Sequence, residues 1–157
     1  MWRDPGYMYR ILIPVDTDDR RADGQVKTAL RLAEEVDELD VTVLHVHEEI
    51  DSTADEAGRS YIDELNEQLD EIHGTPSAVT VVTDQLEPTA VSVTVHEIIG
   101  KPAPAILEIG EELDVDAILL GVRKRSPVGK VLFGSVTQAV ILSADRPVMT
   151  APAPELE

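Results

Sequence analysis

The chain has 157 residues, 43% of them apolar, with 31 Asp and Glu against 13 Lys and Arg, a formal net charge of -18, and no Cys. This length suits one domain with its own core, about residues 8–151 within 1–157, and the lack of Cys excludes disulfides and thiolate chemistry. No apolar run reaches the roughly 20 residues of a membrane span, and MWRDPGYMYR lacks a leader's charged-then-apolar profile, so a cytoplasmic protein without membrane or, given its acidity, nucleic-acid partners is expected.

Tyr9 to Asp16 reads as a first strand, apolar through Ile11, Leu12 and Ile13 and ending in the turn residues Pro14 and Asp16. Val26, Ala29, Leu30, Ala33 and Val36 recur at helical spacing, so a helix is expected from about Gln25 to Val36, with the polar stretch from Thr17 to Gly24 either loop or an early helical turn. Val41 to Val46 is a second, β-branched strand. Tyr61, Ile62, Leu65, Leu69 and Ile72 form the stripe of an amphipathic helix. A further helix is expected from about Ser77 with Val79, Val82 and Leu86 inward, although Val-Thr-Val-Val also suits a strand. Val91 to Glu97 is a third strand, and Gly100 to Pro104 turns into a helix over Ala105–Leu113 whose prolines fall where missing N–H groups are harmless. Asp116 to Leu120 is a fourth strand and Pro147 to Ala151 a short fifth. Strands alternating with helices imply an α/β domain with an open parallel sheet and helices on both faces.

The segment from Ala117 to Val136, AILLGVRKRSPVGKVLFGSV, carries the strongest functional signal. An apolar strand leads to Gly121, expected to turn the backbone sharply at the carboxyl end, where open α/β sheets bind ligands. Gly134 then precedes Ser135, expected to cap a helix running through Val136, Val140 and Ile141, whose free N–H groups suit a phosphate. Arg123, Lys124, Arg125 and Lys130 reverse the chain's acidity within eight residues. A nucleotide is the expected ligand; a solvated basic loop is the plainer alternative. The Walker pattern does not apply, since Lys124 stands where its first glycine belongs and Val131 where Ser or Thr should hold the metal.

Pro14-Val15-Asp16 after the first strand, Leu44-His45-Val46, Gly100-Lys101-Pro102-Ala103 before a helix, Asp116 to Gly121, Gly134-Ser135-Val136-Thr137 and the closing Pro147-Val148 strand occur in order, and the chain resembles the universal stress protein family over nearly its whole length. Its acidity and basic loop look most like haloarchaeal members, as expected for a hydrated anionic surface in a high-salt cytoplasm. The resemblance implies a five-stranded, Rossmann-like sheet in the order 3-2-1-4-5, a homodimer, and in many members ATP at the carboxyl ends of strands one and four. ATP-binding members carry Gly-x2-Gly-x9-Gly-[Ser/Thr]. Gly121, Gly134 and Ser135 match it, while Lys124 replaces the second glycine. That lysine either obstructs the backbone's approach to phosphate or contacts phosphate through its ammonium. Carried over by position, Pro14 and Asp16 lie by the nucleoside, Val46 by the base, and Gly121, Lys124, Gly134, Ser135 and Val136 by the phosphates. Each also has a plainer role: Asp16 in a turn, Val46 in the core, Ser135 as a helix cap.

Other constellations carry less. His45 and His47 share a strand face at metal-ligand spacing, but His45 belongs to the Leu-His-Val strand. No paired carboxylates or nucleophile elbow mark a catalytic centre. The functional expectation is a stress-response regulatory protein holding ATP or AMP, with Mg accompanying the phosphates and at most slow hydrolysis, acting on a regulatory protein partner. The alternative is a nucleotide-free homodimeric scaffold paired through the edge strand Pro147–Ala151. A phospho-acceptor domain is weaker, because the third strand offers no Asp.

Overall fold

The computed structural model describes residues 6–48, 75–122 and 133–154. The expected helix from Tyr61 to Ile72 and the basic loop from Arg123 to Lys130, with Lys124, lie outside these residues.

Five strands, β1 (Met8–Pro14), β2 (Glu38–Glu48), β3 (Ser92–Gly100), β4 (Ala117–Val122) and β5 (Val148–Pro152), form one sheet in the order β3-β2-β1-β4-β5. Every pairing is parallel. Ile11, Leu12 and Ile13 of β1 and Ala117, Ile118 and Leu119 of β4 are buried, as continuous apolar runs in a sheet covered on both faces must be. One face packs on α1 (Asp19–Glu35) and α2 (Ser77–Leu86) around Ile11, Ile13, Val26, Val82 and Leu119. The other packs on α3 (Pro102–Glu112) and α4 (Ser135–Ser143) around Leu12, Leu44, Ile106, Ile118 and Val140. Among the described residues no helix is long and apolar enough to cross a membrane.

The first helix begins earlier than its apolar stripe. Asp18 is its N-cap, and its carboxylate accepts from the backbone N–H groups of Arg20 and Arg21 at 3.0 and 3.1 Å. That cap draws the polar stretch Asp19–Gly24 into the helix. Helix wins over strand at Ser77–Leu86, because Val79, Val82 and Leu86 at helical spacing bury against α1, with Asp23 of α1 accepting from the Gln85 amide at 3.2 Å. Gly100, expected in a turn, is instead the last residue of β3. On α4 Val140 is fully buried, whereas Ile141 and Leu142 are 38% and 84% exposed.

Candidate functional site

The carboxyl ends of β1, β2 and β4 surround a cleft of about 700 Å³. Its position follows from the connectivity. The chain leaves β1 for β2 and β3 on one side and crosses back to β4 and β5 on the other, so neighbouring connections diverge where β1 meets β4. The two strands are paired only at Ile11 with Ala117 and Leu12 with Ile118, and separate beyond.

Gln25 of α1 spans that gap. It is 2% exposed, and its amide nitrogen donates to Pro14 O at 2.6 Å and Leu119 O at 3.0 Å. Gly121 is a glycine for the same reason, and not, as its place at the strand end suggested, to turn the chain. It lies within β4, and a Cβ there would stand 3.1 Å from Gln25 Cδ and 3.2 Å from Arg21 Cβ. A bare backbone lets α1 settle on the end of β4.

The site residues expected from sequence that fall among the described residues, Pro14, Asp16, Val46, Gly121, Gly134, Ser135 and Val136, all line this one cleft. Gly134, not Ser135, is the N-cap of α4, and no side chain caps the helix. Ser135 is its first helical residue, one position too late to cap. The first bond closed from Gly134 O is to Gln138 N at 3.0 Å, leaving the N–H groups of Ser135, Val136 and Thr137 without an intrahelical acceptor at a positive helix end. No described atom lies within 4 Å of a Cβ placed on Gly134.

Asp16 is bound into its loop. One carboxylate oxygen accepts from Asp18 N at 2.8 Å, and the other lies 3.0 Å from Arg21 Nη1. Sequence reasoning passed over Arg21, which reaches the cleft from the first turn of α1. Burial pushes the Asp18 carboxyl up, but the backbone N–H of Arg21, its guanidinium and the backbone N–H of Arg20 together hold it below the usual carboxylate value.

Across the cleft, Val46, Ile99, Pro102 and Ile106 make an apolar wall, with Ile99 62% exposed at the mouth. His45 is buried and donates from Nδ1 to Val15 O at 2.8 Å. His47 stands edge-on to it at 4.6 Å, with Nε2 3.1 Å from Glu97 Oε1. The pair is thus tied to backbone and carboxylate. Among the described residues no group of three or more His, Asp or Glu is arranged to hold a metal. An apolar wall, polar groups at one rim and an uncapped helix end thus line one cleft.

The universal stress protein family model matches residues 8–152. The chain belongs to the universal stress protein family. A universal stress protein of Methanocaldococcus jannaschii is 28% identical over 148 residues, spanning 94% of this chain and 84% of that one. The structure of a universal stress protein from Archaeoglobus fulgidus superposes with a TM-score of 0.61 at 31% identity, covering 92% of this chain and 98% of the other. A universal stress protein from Archaeoglobus fulgidus in complex with dAMP superposes with a TM-score of 0.54 at 25% identity, covering 92% and 98%.

Proposed function

We propose that this universal stress protein binds an adenine nucleotide, ATP or AMP, and acts in the cytoplasm as a regulatory protein in a stress response. The observation that carries the reading is the convergence of the seven residues on one cleft, with an apolar wall at Val46 and Ile106 and the open, uncapped start of α4 at Gly134 and Ser135. An adenine would lie along the wall, its edge facing the β2 backbone at Val46. The ribose would meet Asp16, and the phosphates the α4 N-terminus together with Lys124. Mg would enter with the phosphates rather than on a protein cage. The dAMP complex of the Archaeoglobus relative supports the ligand class. Binding rather than turnover is the activity we propose.

The test is to purify the protein, denature it and identify released nucleotide by mass spectrometry, then titrate the stripped protein with ATP and AMP by calorimetry. A stoichiometric adenine nucleotide or a saturable isotherm supports the reading. An empty protein with no measurable affinity overturns it.

A second reading, a homodimeric scaffold acting on a partner without nucleotide, is favoured by Leu142, 84% exposed on α4, which precedes the edge strand β5.

A further inference from the structure

Arg21 is the only Lys or Arg among the described residues lining the cleft, and its neighbours explain how it is held there. The Asp18 cap anchors its backbone N–H, and its Cβ sits over the bare backbone of Gly121. The guanidinium is only partly used. Nη1 pairs with Asp16 Oδ2 at 3.0 Å, while Nε is ion-paired with Asp18 Oδ2 at 3.3 Å but not aligned with it as a hydrogen bond. A buried guanidinium N–H without an aligned acceptor is costly, and a planar fork of donors is best satisfied by two oxygens of one anion. The pairing with Asp16 meanwhile occupies the carboxylate that a ribose hydroxyl would approach.

From this arrangement we infer that Arg21 reads the phosphate of a nucleoside phosphate, and that binding exchanges the Arg21–Asp16 pair for a guanidinium–phosphate pair. This inference rests on the nucleotide reading above. The exchange has two consequences. The phosphate takes the fork of Arg21 in place of the carboxylate, and the released Asp16 accepts from the ribose. Phosphate and ribose recognition are thereby coupled through one ion pair, and a nucleoside without phosphate finds Asp16 still engaged. Asp16 and Glu48 are carboxylates lining the cleft that would repel a polyanion, and Arg21 is the described cation lining it.

The test is calorimetry with adenosine, AMP and ATP on the wild-type chain and on Arg21→Gln, Arg21→Lys and Asp16→Asn, with thermal melts to establish folding. Wild type should prefer AMP and ATP to adenosine. Arg21→Gln should weaken AMP and ATP by roughly 10- to 100-fold, the range for charge-assisted hydrogen bonds, with adenosine changed less than about twofold. Arg21→Lys, which keeps the charge without the fork, should lose less, about three- to tenfold for the phosphorylated ligands. Asp16→Asn removes the competing charge and should raise the ratio of ATP to adenosine affinity, an arm that holds even if Arg21→Gln does not fold. Equal losses for adenosine and ATP in Arg21→Gln, or an unchanged ratio in Asp16→Asn, overturn the inference and leave adenine binding standing. A wild-type protein that binds none of the three ligands overturns both.

Discussion

Gln25 and Gly121 are fitted to each other: a Cβ on Gly121 would stand 3.1 Å from the Gln25 amide carbon, whose nitrogen joins β1 to β4 through Pro14 O and Leu119 O. Gln25→Leu should therefore cost about 2–3 kcal/mol, because the buried carbonyl of Leu119 and the half-buried one of Pro14 lose their donor while the apolar volume is kept. Gly121→Ala should cost about 1–2 kcal/mol by pressing on Gln25 and on Arg21 Cβ. Urea denaturation of each variant measures both. Wild-type stability in Gln25→Leu would show that the bridge between the strands contributes nothing.

Gly24 predicts a sharper effect. A Cβ there would lie 2.4 Å from Pro152 O, a backbone atom at the end of β5, so α1 and the C-terminal segment could not keep their contact. The segment is also held by Arg20 Nη2 to Pro154 O and by Ala153 N to Val122 O at 3.3 Å. Gly24→Ala should lower stability by about 2–3 kcal/mol despite alanine's better helix propensity, which alone would add about 1 kcal/mol. A rise in melting temperature would refute this account of the contact.

Gly134→Val separates ligand from fold. No described atom opposes a side chain at Gly134, and the poorer N-cap should cost only about 1 kcal/mol. The same side chain would stand over the N–H groups of Ser135 and Val136, so nucleotide binding should be lost with the melt nearly unchanged. Unaltered affinity in calorimetry would remove the start of α4 from the site.

Asp18 makes stability depend on pH. Its folded-state carboxyl sits below the usual value, so it binds a proton less readily than in the unfolded chain. Its contribution is therefore present above the unfolded value near 4 and is lost as pH falls through the lowered folded value. Asp18→Ala should cost about 1 kcal/mol at pH 7, the ordinary size of a cap with its charge largely screened, and the difference from wild type should shrink towards pH 3. Asp18→Asn keeps a capping oxygen without the proton equilibrium. It should stay close to wild type at pH 7 and hold its stability better as the pH falls.

Much of this architecture is legible in the residues, and the failures have physical causes. The buried strands betray themselves because Ile11 to Ile13 and Ala117 to Leu120 are covered on both faces and have no polar positions. The start of α1 does not, because Asp19 to Gly24 is helical through a cap rather than an apolar stripe; the signal available was Asp18 itself, the residue immediately before that polar run. Gly121 and Gly134 stand out in the sequence, but their surroundings differ. One glycine admits a neighbouring helix, and the other has no described atom against it. Arg21 and Gln25 escape a linear reading because their roles depend on where long side chains end, and only the fold brings them to Asp16, Pro14 and Leu119.

The edge strand β5 allows a clean test of self-association. Ile118 N donates to Pro147 O at 2.9 Å, and Val148 lies opposite Ile118 in the parallel register. In a parallel ladder the residue bonding to one neighbour alternates with the residue facing away, so the N–H of Val148 points to the open edge and not to β4. Val148→Pro removes a donor that the β4 ladder does not use, and proline is tolerated at such an edge position. Should the chain dimerise through this edge, the variant should sediment as a monomer at concentrations where wild type is a dimer, with its melt in the monomeric range little changed. A dimer of wild-type strength in Val148→Pro would exclude pairing through β5 and direct attention to Leu142, whose exposed side chain Leu142→Glu would then test.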